Sequence, residues 1–143
     1  MALNPTFKNN NPGNIRFYSR MKNVIGRSEN GFAIFSNKYY GIQAMRNLLQ
    51  GYIRKGYNTL EKILNRYAPP IENKTSSYID FVSKRTGIPK NKTIGSDEIE
   101  KIIPAMVKME TGKELGTLDL FLSRHIDKMP LIILGALLLV KKM

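Results

Sequence analysis

The chain has 143 residues, 42% of them hydrophobic, which is enough for one domain with a hydrophobic core. It contains no cysteine, which excludes a disulfide framework and a thiolate metal site. The net charge of +12 favours a polyanionic partner, although a basic protein without one is the alternative. The basic residues are scattered and accompany no nucleic-acid-binding motif, so nucleic acid is not an expected partner. No signal peptide is expected, because no basic segment followed by an apolar one opens the chain.

The N-terminal part is predicted to be irregular and then to form two short strands. The first dozen residues are rich in asparagine and contain Pro5 and Pro12. Residues 15–18 and 32–35 have the aromatic and branched side chains of strands, and a polar, glycine-containing connection joins them. The β element should therefore be small.

Two helices are predicted next, because apolar residues recur at helical spacing. The first contains residues 42–53 and should end near Gly56. Thr59 can cap the second, which should end before the two prolines at 69–70, since residues before proline avoid the helical region.

Two further helices follow. One contains residues 78–85 and should end at Gly87. The other extends from about residue 96 to 110 and should stop at Gly112, with Pro104 either kinking or dividing it. The fold class is thus mainly α, with a small β element and an apolar C-terminal helix.

The C-terminal segment has a different composition. Residues 115–123 are amphipathic, and the almost wholly apolar run from 129 to 140 begins at Met129 and ends at Val140. As a helix this run would be about 18 Å long, whereas a bilayer core needs about 30 Å. It is either a core helix or a membrane-inserting anchor. Its lack of a polar face favours the anchor.

Glu110 is the first candidate for chemistry. It falls on the apolar face of the fourth helix, one turn beyond Met106. Burial there raises the pKa of a carboxyl group, as a general acid requires. The alternative is a glutamate at the helix end that points to solvent.

Glu72 is the second candidate. It lies in the loop after two prolines, where it suits either a second carboxylate of a cleft or a favourable charge near the next helix N-terminus, with Asn73 or Thr75 as cap. Tyr78 is close behind this loop and is the best tyrosine for a cleft role, whereas most other tyrosines suit packing. His125 is expected on the surface and not in catalysis.

Four strings in fixed order resemble a family of phage lysozyme-like proteins that cleave peptidoglycan. They are NNPGNIR (10–16), GFAIF (31–35), RYAPPIENKT (66–75) and METG (109–112). The resemblance covers residues 8–112 and implies a lysozyme-like domain over residues 1–116, followed by a C-terminal segment over 117–143. It implies that Glu110 and Glu72 are catalytic and that no cofactor is needed. The implied substrate-binding residues are Tyr78, Asn14, Arg16, Phe35, Tyr67, Asn73 and Thr75.

The resemblance also implies a function. The expected reaction is cleavage of the glycan strand between N-acetylmuramic acid and N-acetylglucosamine. A lytic transglycosylase is the first choice and simple hydrolysis is the second. The protein would belong to a virion, with virion proteins as partners, would act on the host cell wall, and would contact a membrane through residues 129–140. A non-catalytic virion protein that keeps the fold is the alternative, and a nucleic-acid-condensing protein is a third possibility.

Two departures from the family pattern bear on this choice. The chain has no tryptophan, although the family usually has one shortly after NNPGNIR, and Tyr67 occupies a position where tryptophan is common. The motif order is also similar to that of bacterial N-acetylglucosaminidases, with the helix that ends in E-x-G moved from first place to last. Such a circular permutation predicts that Glu110 lies near the NNPGNIR segment.

Overall fold

The computed structural model describes residues 8–68 and 74–130, together with Gly135 and Leu139. This part of the chain is mainly helical with a small antiparallel sheet, which confirms the predicted mainly α class with a small β element. The strands are β1 (Val24–Arg27) and β2 (Ala33–Phe35). The helices are α1 (Lys38–Arg54), α2 (Leu60–Tyr67), α3 (Lys74–Thr86), α4 (Ile99–Thr111) and α5 (Thr117–His125), with 3-10 turns at Ser96–Glu98 and Ile126–Lys128.

The sheet differs from the sequence prediction in its first strand. The prediction for residues 32–35 is confirmed by β2, but the one for 15–18 is wrong. That segment contributes only an isolated bridge, between Arg16 and Phe32, and β1 lies in the stretch expected to be a connection. The reason is local: the Asn11 side chain bonds both backbone groups of Ile15, and Asn14 has a φ of 52° that turns the chain.

α1 is the central helix of the described fold. It begins at the N-cap Asn37, whose side chain accepts hydrogen bonds from two backbone N–H groups of the first turn. It ends at Arg54, just before Gly56 with its φ of 94°, as predicted. The helix packs against α2, α4, α5 and β2. Its fully buried side chains recur at helical spacing and form the middle of the core: Tyr39, Ile42, Met45 and Leu49.

α2 begins and ends where the sequence predicts, and α3 ends as predicted and extends over residues 74–86, beyond the predicted 78–85. The hydroxyl oxygen of Thr59 accepts a hydrogen bond of 3.1 Å from the Lys62 N–H and so caps α2. The helix ends at Tyr67, and Gly87 follows α3 in the left-handed region. α3 packs against both α2 and α4, which places it between the two elements that supply the candidate site.

α4 continues through Pro104 as one undivided helix. The proline lacks the N–H that would bond the carbonyl of Glu100, but the flanking turns bury enough apolar surface to hold the helix together. These residues are almost completely buried: Ile99, Ile102, Ile103 and Met106. Gly112 ends α4 with a φ of 76°, as predicted.

Only part of the predicted C-terminal segment lies within the described residues. α5 packs against α1 and buries Leu122, so helical packing continues past residue 116. In the apolar run, the structure describes only positions 129, 130, 135 and 139, and the predicted C-terminal helix otherwise lies outside the described residues. None of the helices within the described ranges combines the length and apolarity needed to cross a membrane.

Candidate functional site

Glu110 lies in the last turn of α4, at the edge of the core. Its side chain is half-buried, and one carboxyl oxygen (Oε1) accepts a hydrogen bond of 3.2 Å from the hydroxyl of Tyr78 on α3. Tyr78 is itself buried. The structure therefore brings together the glutamate and the tyrosine that the sequence singled out.

The surroundings favour the neutral form of both groups. Burial raises the pKa of Glu110, and the hydrogen bond from Tyr78 opposes this without cancelling it. Burial, followed by the nearby charge of Glu110, raises the pKa of Tyr78, so the phenol keeps its proton and donates it. Among the described residues no hydrogen-bond donor contacts Oε2 of Glu110, so this oxygen is available to a proton or a ligand.

Tyr67 connects this pair to the NNPGNIR segment. It is the last residue of α2, and its hydroxyl donates to the carbonyl oxygen of Gly13. Burial raises the pKa of Tyr67 well above its ordinary range, and the charges of Glu110 and Tyr52 add to the rise. Tyr67 thus contacts the segment on one side and lies within electrostatic range of Glu110 on the other.

Hydrogen bonds to backbone hold the NNPGNIR segment in place. The buried amide of Asn11 donates to the carbonyls of Ile15 and Ala33, each at 2.9 Å, and its oxygen accepts from the Ile15 N–H at 2.9 Å. The Asn10 amide donates to the Phe35 carbonyl at 3.0 Å. These bonds attach the segment to β2, so Asn10 and Asn11 hold the segment in place next to the site.

Gly13 allows the closest approach in this segment. A Cβ added to it would lie 2.5 Å from the Tyr67 hydroxyl oxygen and 2.6 Å from Cγ of Met45. A side chain at position 13 would therefore push Tyr67 away from the segment, which gives the glycine of the motif a steric explanation.

Three other predicted substrate-binding residues have structural contacts of their own. Thr75 is buried, and its hydroxyl donates to the Ala68 carbonyl at 2.6 Å, which fixes the start of α3 to the end of α2. The Arg16 guanidinium lies 4.9 Å from the centre of the Phe32 ring on the exposed face of the sheet. Phe35 has no exposed surface, so it is a core residue and does not reach a ligand.

The remaining predicted residues are Asn14, Glu72 and Asn73. Asn14 follows Gly13, is half-buried, and has a buried Oδ1 with no hydrogen-bond partner among the described residues. Glu72 and Asn73 lie outside the described residues. The structure thus gathers Glu110, Tyr78 and Tyr67 at one place, beside the loop that contains Asn14.

Comparison with known proteins shows a similarity to a phage protein. No protein-family model matches the chain. Over 89 residues the chain is 37% identical to Protein P5 of Pseudoalteromonas phage PM2. The alignment covers 62% of this chain and 56% of that protein, so the chain spans about half the length of the relative it matches.

Sequence reasoning missed a second feature of the surface near these tyrosines. Arg66 stacks over the rings of Tyr57 and Tyr52, at 4.6 and 5.5 Å from their centres, and donates to the Tyr57 hydroxyl at 3.2 Å. A polar groove of about 760 Å³ opens beside this stack. No sequence signal predicted it, because its residues come from the connection between α1 and α2, from α2 itself and from residues 91 and 93.

Proposed function

We propose that this chain is a phage-associated peptidoglycan lytic protein that cleaves the glycan strand between N-acetylmuramic acid and N-acetylglucosamine. The observation that carries the proposal is the pair of Glu110 and Tyr78: a half-buried carboxyl group with a raised pKa, oriented by a buried phenol. A carboxyl group of this kind can hold a proton near neutral pH and deliver it to a leaving oxygen.

The preferred chemistry is that of a lytic transglycosylase. Glu110 donates its proton to the glycosidic oxygen as the bond from that oxygen to C1 of the muramic acid breaks. The C6 hydroxyl of the same sugar then forms a bond to C1 and returns its proton to Glu110. The product is an anhydro sugar, and the reaction requires no water, cofactor or second carboxylate. Hydrolysis, in which water attacks C1, is the second choice, and there Glu72 would act as the other carboxylate.

Tyr78 acts in this scheme as a positioning residue. Its hydroxyl donates a hydrogen bond to Oε1 of Glu110, which leaves Oε2 for the acid proton. Tyr67 keeps the NNPGNIR segment beside the acid through its bond to Gly13. Neither Tyr78 nor Tyr67 transfers a proton in this scheme.

Phage association rests on the similarity to Protein P5 of Pseudoalteromonas phage PM2. The motif resemblance implies in addition that the chain is carried in a virion with other virion proteins and acts on the host cell wall, and we keep these as proposals. The apolar residues 129–140 would provide contact with a membrane, and the net charge of +12 suits both an acidic wall and an anionic lipid surface.

The test is mass spectrometry of purified peptidoglycan after incubation with the full chain. Wild type should release anhydro-muropeptides, and Glu110→Gln should release none because the acid proton is gone. Glu114→Gln is the matched control, since it removes an exposed carboxylate in the next loop. Tyr78→Phe should retain cleavage but lower its rate, about tenfold for the loss of one positioning hydrogen bond.

A non-catalytic virion protein is the competing function. Two observations favour it: the hydroxyls of Tyr67 and Tyr78 both make bonds within the protein, and the chain has no tryptophan on which a sugar ring could stack. A folded wild type that releases no soluble product would decide for this alternative. Products without an anhydro end would decide for hydrolysis.

A further inference from the structure

A second groove, of about 390 Å³, lies beside the outer face of α1 and carries a concentration of positive charge. Arg20 and Lys22 contribute to its walls from the loop before β1, and Arg54 contributes from the end of α1. The ring of Tyr18, which is 47% exposed, is a further part of the wall. Amide side chains of α1, including Asn47 and Gln50, complete the lining.

The cations of this groove outnumber the acids near it. No acidic residue lines it, and Asp127 contacts the lining by accepting a hydrogen bond of 2.8 Å from the amide of Gln43. Within the described ranges, the ion pairs of the protein involve other cations, and none includes Arg20, Lys22 or Arg54. Like charges gathered around one concave surface raise the local positive potential, which attracts an anionic ligand.

The groove lies next to the NNPGNIR segment. Tyr18 in its wall follows that segment by two residues, and the segment accepts a hydrogen bond from Tyr67 at the carbonyl of Gly13. The same stretch of chain therefore contributes to the groove and to the surroundings of the candidate site.

We propose that this groove binds the carboxylate groups on the peptide stems of peptidoglycan, while the glycan strand lies toward Glu110; this inference rests on the proposed function. Guanidinium groups pair with carboxylates through two parallel hydrogen bonds. The neighbouring amides can donate to and accept from a peptide backbone. The volume suits a short ligand segment, whereas a nucleic-acid duplex calls for an extended basic stripe along the surface.

The test compares acidic and neutralised forms of one ligand. Fluorescent soluble peptidoglycan strands are titrated with the full chain carrying Glu110→Gln, so that they are not cut, and the titration is repeated with strands whose carboxyl groups have been amidated. The groove variant is Arg20→Gln, Lys22→Gln and Arg54→Gln together. The matched control is Lys84→Gln, Lys101→Gln and Lys128→Gln, which removes the same charge from exposed positions elsewhere.

We expect the groove variant to bind acidic strands about tenfold more weakly, since three solvent-exposed ion pairs each contribute a small factor. The control should stay within about twofold, because it removes only long-range attraction. Amidation of the strands should weaken binding to the protein with an intact groove by the same factor, and should leave the groove variant unaffected. The amidation arm needs no change to the groove and so does not depend on how the variant folds.

Three results would overturn the proposal: no binding of acidic strands, equal loss in the groove variant and the control, or tighter binding of short duplex DNA with the same dependence on the three cations. Cleavage by wild type is measured separately. If wild type cleaves peptidoglycan but binding is unchanged in the groove variant, this inference alone is wrong. If binding depends on the groove cations but wild type cleaves nothing, the enzymatic proposal alone is wrong.

Discussion

Tyr78 and Glu110 form a hydrogen bond of 3.2 Å between two helices, although 32 residues separate them in the chain. The contact exists because α3 packs against α4 with Tyr78 only 7% exposed. The phenol satisfies one oxygen of a carboxyl group that has lost much of its water. Glu110 is thus held where burial disfavours its charged form, although the hydrogen bond from Tyr78 partly offsets this.

The first prediction concerns the stability of Glu110→Gln. Burial raises the folded-state pKa of Glu110, although Tyr78 opposes the rise, so the folded protein keeps this proton to higher pH than the unfolded chain does. The corresponding stability is fully present below the unfolded pKa and is lost as pH rises through the folded pKa. Glutamine keeps the acceptor for Tyr78 and removes the titration. The Tm of the variant, measured by circular dichroism, should exceed that of wild type at neutral pH, and the difference should vanish in acid.

Glu114→Gln provides the comparison of opposite sign. The Glu114 side chain is exposed, and the hydrogen bond that it accepts from Arg85 lowers the pKa of its carboxyl group. The contribution of this group to folding stability is therefore present above the unfolded pKa and is lost as pH falls through the folded pKa. This variant should have a Tm equal to or below that of wild type at neutral pH. If Glu110→Gln behaves in the same way, the Glu110 carboxylate is well solvated and the general-acid assignment loses its basis.

The second prediction concerns the buried amide of Asn11. Asn11→Ala leaves the Ile15 N–H and the carbonyls of Ile15 and Ala33 without their side-chain partner. We expect a loss of about 3 kcal/mol in the free energy of unfolding, because three hydrogen bonds at a fully buried position contribute about 1 kcal/mol each. Urea denaturation followed by tyrosine fluorescence measures this loss.

Asn10→Gly is the matched control for Asn11. Among the described residues the Asn10 side chain makes one hydrogen bond, to the Phe35 carbonyl, and its φ of 51° is a conformation that glycine adopts without strain. The control should lose about 1 kcal/mol or less. Equal losses in the two variants would show that the Asn11 amide does not hold the segment on β2.

The helices could be predicted from the sequence because their signals are local. Thr59 caps α2 through a neighbour three residues away, and Gly56, Gly87 and Gly112 follow three helices with positive φ, as their sequence positions predict. The first strand could not be predicted, because the side chain of Asn11 forms hydrogen bonds with the backbone of Ile15. A hydrogen bond between a side chain and the backbone leaves no periodic pattern in the sequence.

The candidate site divides in the same way. Helical spacing placed Glu110 on the apolar face of α4, and the structure adds that Tyr78 contacts it. The substrate role predicted for Phe35 has no support, because alternation along β2 turns Ala33 and Phe35 into the core. The bond between Tyr67 and Gly13 depends on three-dimensional packing across 54 residues, which no pattern in the sequence records.

The third prediction uses two glycines of the same helix. A Cβ added to Gly41 would overlap the carbonyl oxygen of Asn10 and lie 2.8 Å from Cδ of Pro12, so the NNPGNIR segment rests directly on α1 at this point. We expect Gly41→Ala to lower the free energy of unfolding by about 2 kcal/mol, because the segment must move away from the helix. Urea denaturation gives this value.

Gly51→Ala separates this steric effect from helix propensity. The nearest atom to a Cβ at position 51 is Nη2 of Arg54, at 3.7 Å, which is an ordinary contact. Alanine there should raise the free energy of unfolding by about 0.5–1 kcal/mol, since it favours the helix and meets no obstacle. Two variants that both stabilise would mean that the segment does not press against Gly41. It could then move relative to Tyr67 and Glu110, and the site would lack the fixed wall that the proposed chemistry needs.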